Sequence, residues 1–163
     1  MNRTLFHRVA TVASIVLGVI FVVAGFGKLF APSEGFERVF NPFPSFITPA
    51  VTDTLFSLLP YLEIVIGVLL IIGVVARLAG AVSILLIAGF ITNNAWLLSQ
   101  GRGYEPCSCF GVLDRVLGFR MATTHSLYLD IFMLALAFIT IFGLQGRFFH
   151  VLPRFLPRRE TQE

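Results

Sequence analysis

Charge is what this sequence has least of. Asp, Glu, Lys and Arg make up only 13% of its 163 residues, about half the share found in ordinary soluble domains. Apolar types reach 56% and mean hydropathy is +0.87. A water-soluble fold of this length cannot hide so much apolar surface, so an ordinary soluble domain is excluded and lipid must be part of the solvent. The formal charge of +3 then reads as a topology signal rather than a nucleic-acid footprint, because the arginines crowd the termini. Cysteine is scarce too: the chain holds two, Cys107 and Cys109, one residue apart in PCSCFG. A closed zinc site needs four ligands and His125 is the only obvious third, which leaves a metal centre weakly supported. Internal repeats, low-complexity tracts and a separate soluble domain are missing, as are the paired broken helices of a transporter.

What is present is a set of long apolar runs. A helix needs roughly 20 apolar residues to span the hydrocarbon. Four segments qualify: about Val9 to Phe30, Phe56 to Ala76, Leu78 to Ser99, and Thr124 to Leu144. The first follows Arg3 and Arg8 but is too long for a signal-peptide core and has no A-x-A site after it, so it reads as a retained span. The expected fold is all-α, an integral membrane four-helix bundle forming a single domain over residues 1–163.

Orientation follows from the basic residues. With the N-terminus inside, seven arginines (Arg3, Arg8, Arg77, Arg147, Arg154, Arg158 and Arg159) face the cytoplasm, against Lys28, Arg38, Arg102, Arg115 and Arg120 outside. The expectation is N-in and C-in, in a bacterial cytoplasmic (inner) membrane, with a basic, aromatic tail over 145–163. Two outer loops result, 31–55 and 100–123. SEGFERVF and NPFPSF in the first predict a short interfacial helix and a proline-limited turn. The short link around Arg77 predicts a tight hairpin of spans two and three.

The second loop carries the cysteines outward, where disulfides persist. As a staple the pair does little: bridging Cys107 to Cys109 closes a loop of three residues, worth roughly 1.6 kcal/mol by chain entropy against about 3 for a 15-residue loop. So small a ring is strained and easily reduced, which suits exchange chemistry better than stapling. Staple, metal and thiols without a shared role stay open beside it.

Ionisable and amide residues inside spans are few: Lys28, Glu63, Asn93, Asn94 and Asp130, with His125 at a helix start. On the proposed topology all fall in the outer half, whereas inner stretches such as GVLLIIGVV and LALAFITIF are apolar. A polar pocket beneath the cysteine loop is the economical reading, since charge within a span is costly and usually functional. For Lys28, snorkelling to the headgroups competes with pairing to Glu63; helix-to-helix glue for the asparagines and a plain helix start for His125 are the other structural readings.

Three stretches carry a family resemblance: AGFGKLFAP closing span one, LPYLEIVIGVLLIIG across span two, and PCSCFG before span four. They resemble the MauE branch of the DoxX-like membrane proteins, with C-x-C-F-G as the discriminating motif. The resemblance implies a four-helix membrane protein linked to disulfide formation in redox partners outside the cytoplasm. Its layout is also similar to vitamin K epoxide reductase-type enzymes, which pass thiol electrons to quinone. By that likeness Cys107 and Cys109 match the family's cysteine pair and Lys28 and Glu63 its recurrent charged positions. The implied cofactors are a redox-active disulfide and, as one option, a quinone near Lys28, Glu63, Asn93, His125 and Asp130. The implied partner is a separate thioredoxin-like or disulfide-containing protein, or a larger membrane complex. Two other functions compete: a non-catalytic accessory subunit, and a DoxX-like thiosulfate:quinone oxidoreductase subunit.

Overall fold

The computed structural model describes residues 3–30, 49–101, 103, 104 and 122–143. They form four helices: α1 (Arg3–Leu29), α2 (Pro49–Ile72), α3 (Ala76–Ser99) and α4 (Thr123–Gly143). Three stretches, Leu5–Leu29, Ala76–Ser99 and Thr123–Gly143, are long and apolar enough to cross a bilayer, and α2 adds the apolar Ser57–Ile72. The molecule is thus an all-α, integral membrane helical bundle. The expected interfacial helix, the basic tail and Cys107 and Cys109 lie outside the described residues.

Side-chain spacing dictates the packing. On α1 the buried positions include Ala10, Ala13, Leu17, Phe21, Ala24 and Lys28, three or four apart, which is one face of a helix. On α4 they are Thr123, Ser126, Asp130, Met133, Ala137, Thr140 and Gly143. Each helix gives two residues to the core: Leu17 and Phe21, Ile66 and Leu70, Ala79 and Ile87, Met133 and Ala137. The opposite faces carry exposed Val, Leu, Ile and Phe, as expected where the outer solvent is lipid.

In lipid the apolar effect does not drive helices together, so close packing of small residues must. It does so between α1 and α2. A Cβ at Gly18 would lie 2.6 Å from the Gly67 carbonyl oxygen, and one at Gly67 the same 2.6 Å from that of Gly18. Ser14 strengthens this contact by donating to the Leu70 carbonyl at 2.8 Å. At the far end of α4, a Cβ on Gly143 would sit 2.3 Å from that of Ala10. The helices therefore pack in a ring: α1 against α2 most closely, α4 against both α3 and α1, and α2 against α3 least.

Two expectations need correcting. The link 73–75 is short, but α2 and α3 are the least intimate neighbours rather than a tight hairpin. Gly73 (φ 82°) and Val75 (φ 45°) turn the chain in left-handed conformations, while the small-residue face of α2 is committed to α1. The α2 helix also begins at Pro49, within the expected outer loop, and ends at Ile72. Proline is well suited to a first helical position, where its missing N–H has no partner to lose.

Candidate functional site

The buried ionisable and amide side chains, Lys28, Glu63, Asn93, Asn94 and Asp130, gather at one end of the bundle. Lys28 is the penultimate residue of α1, and Gly25, one turn before it, sets the distance to α2. A Cβ there would come within 2.8 Å of both the Pro60 carbonyl and Ile64 Cγ1, and 3.2 Å from Glu63 Cβ. With only hydrogen at that position, α1 and α2 approach closely enough for Lys28 Nζ to donate to Glu63 Oε1 in an ion pair. The side chains are 6% and 1% exposed, so the pair sits away from water. Lys28 Nζ also lies 4.6 Å from the ring centroid of Phe90 on α3, a contact that strengthens on desolvation. One ammonium thus ties α1 to α2 and α3.

A second set joins α3 to α4. The Asn94 amide nitrogen donates to Asp130 Oδ2 at 2.7 Å and to Ser126 Oγ at 3.2 Å. Ser126 and Asp130 are four apart and share the inner face of α4, as the helical repeat requires. All three residues are buried. Phe90, which meets Lys28, lies one turn before Asn94 on α3, and this places the two sets side by side in one polar layer.

Its composition is lopsided. Among the described residues it holds one ammonium, Lys28, and two carboxyl groups, Glu63 and Asp130. Two buried acceptors, Glu63 Oε2 and Asn93 Oδ1, receive no hydrogen bond from the described residues. A buried acceptor left alone costs about 1–3 kcal/mol, more when charged. Buried polar atoms of this kind ordinarily have a hydrogen-bond partner, which singles these two out within the layer. Lys28 offers N–H groups, while Glu63 and Asn93 offer lone pairs.

Lys28, Glu63, Asn93 and Asp130 all lie buried at this end of the bundle. His125 does not join them: it is exposed on α4, and its backbone N–H donates to the Ala122 carbonyl at 2.9 Å. One step along the helix from Ser126 rotates it out of the buried face. Phe90 and Ser126 belong to the layer although their types attract no attention in a sequence. Their spacing was the available signal, Phe90 four before Asn94 and Ser126 four before Asp130.

The segment with the cysteine pair leaves and rejoins the bundle at the same end as the layer. Its flanks are held together by the Thr124 N–H, which donates to the Gly103 carbonyl at 3.4 Å. Arg8 and Arg77 lie at the opposite end, near the start of α1 and of α3. The family model of the methylamine utilisation protein MauE matches residues 7–143, which takes in every residue of the polar layer. No curated protein and no solved structure matches the chain.

Proposed function

The chain belongs to the MauE family of methylamine utilisation proteins, and from that premise we propose that it is a membrane thiol–disulfide redox protein. Cys107 and Cys109 exchange disulfides with an extracytoplasmic partner, and the polar layer holds a quinone headgroup that is coupled to them. The observation that carries this reading is the buried layer of Lys28, Glu63, Asn94 and Asp130 at the end of the bundle from which the C-x-C segment departs. Covalent connectivity supports it further: Cys107 follows Tyr104 by three residues, which limits the separation of their Cα atoms to about 11 Å.

In the oxidising direction, a partner thiolate attacks the Cys107–Cys109 disulfide and forms a mixed disulfide with one of the two cysteines. The partner's second thiolate then breaks that bond, leaving the partner oxidised and this chain with two thiols. A bound quinone supplies the sink for the two electrons and two protons released when the disulfide re-forms. Lys28 orients a carbonyl by N–H donation, and the carboxyl groups of Glu63 and Asp130 are placed to take up and hand on protons. Exchange is reversible, so the potentials of partner and quinone set the direction.

The membrane is the bacterial cytoplasmic one in this reading, with both termini inside and the thiols outside. Intact cells treated with a membrane-impermeant alkylating reagent test it. Labelling is expected only after prior reduction and is absent from the Cys107→Ser, Cys109→Ser double variant. Thiols unreachable from outside even after reduction contradict both the side and the exchange role.

A further inference from the structure

We propose that the polar layer binds the reduced, hydroxyl-bearing form of its ring ligand in preference to the oxidised, carbonyl-bearing form; this rests on the quinone reading above. Donors and acceptors in the layer are not balanced. Lys28 Nζ is engaged by Glu63 Oε1 and the face of Phe90. An amide nitrogen carries two hydrogens, and those of Asn94 go to Ser126 and Asp130. The two buried atoms of the layer that lack a partner are both acceptors: Glu63 Oε2 and Asn93 Oδ1 receive nothing from the described residues. Glu63 is 0% exposed and Asn93 7%, so neither is served by bulk solvent.

A hydroquinone brings two O–H donors to such a place and a quinone brings none. A quinone carbonyl leaves both of these acceptors unmet and can use only an N–H that Lys28 or the Asn93 amide has to spare. A hydrogen bond to a charged acceptor is also stronger than one between neutral groups, which favours the hydroxyl form at Glu63. The position of the acceptors bears on the class of occupant. They sit on α2 and α3, the neighbours that touch least, and the outer faces of both helices are apolar. The guest is accordingly a lipid-dissolved ring with hydroxyl groups rather than a soluble ion.

The test is equilibrium binding of decylubiquinol and decylubiquinone, without oxygen, to the full chain in quinone-free phospholipid nanodiscs. The Cys107→Ser, Cys109→Ser background prevents either form from being consumed. The quinol should bind at least about tenfold tighter, a bias that raises the midpoint of the bound couple by about 30 mV for each factor of ten. Asn93→Leu should weaken the quinol several-fold and narrow its advantage over the quinone, by loss of an acceptor that only the quinol uses. Equal binding of both forms overturns the preference and leaves the quinone reading standing. So does a bias untouched by Asn93→Leu in a variant of normal helix content, where water alone satisfies that oxygen. Failure of both forms to bind removes the quinone reading and this inference with it. The comparison of the two ligands needs no Asn93 variant, so a folding defect there does not spoil it.

Discussion

At the scale of single residues, Lys28 and Glu63 set the terms. A charge pair held out of water is weak evidence of net stability, because desolvation offsets much of the attraction. Removing one partner is another matter, since it strands the other charge. Lys28→Met should therefore cost about 3–5 kcal/mol, read from reversible unfolding in mixed micelles. Adding Glu63→Leu should restore most of that loss, because the double variant strands no charge. If the double variant is as unstable as the sum of the two singles, the groups do not act as a pair. Pairing was legible beforehand as one of two options for Lys28, the other being escape to the headgroups. What decides between them is Gly25, whose missing side chain lets α1 approach α2 at Pro60. His125 shows the limit of such reading. A residue at a helix start can face either way, and only the contact of Ser126 and Asp130 with Asn94 fixes the inner face of α4.

Among the helices, the closest association runs through glycine. A Cβ at Gly67 meets backbone on α1, the Gly18 oxygen at 2.6 Å and the Val22 nitrogen at 2.9 Å, so neither clash can be relieved by a rotamer change. Gly67→Ala should destabilise the bundle by about 1–3 kcal/mol. Gly89 on α3 is the control, because a Cβ there meets nothing within 4 Å; Gly89→Ala should be neutral or stabilise by up to about 1 kcal/mol through helix propensity. Equal effects at the two positions, measured by thermal unfolding, would mean that α1 and α2 are not so closely apposed. The four helices were visible in the sequence as apolar runs, and three of them are long and apolar enough to cross a bilayer. The ring order was not, because apolar patterning marks what faces lipid and says little about which helix a small residue meets. The start of α2 fell within the expected loop because its first turns carry Thr52, Asp53 and Thr54, and the continuous apolar run begins only later.

For the molecule as a whole, the central claim is that a thiol pair and a buried polar layer act as one redox unit. Clustering of Lys28, Glu63, Asn93 and Asp130 at one end was foreseeable from their depths along the spans. The lone acceptors on Glu63 and Asn93 were not, because hydrogen-bond balance depends on side-chain partners that a sequence does not pair. The most direct measurement is single-turnover mixing, without oxygen, of the purified dithiol form with decylubiquinone, following quinol formation and free thiols together. The account predicts quinol formed in step with the loss of both thiols. It also predicts no such reaction in Cys107→Ser, and one slowed at least about tenfold in the Lys28→Met, Glu63→Leu chain, by loss of a positioned proton-transfer group. Thiols that persist beside unreduced quinone, or a Lys28→Met, Glu63→Leu chain that reacts as fast as the native one, would contradict it.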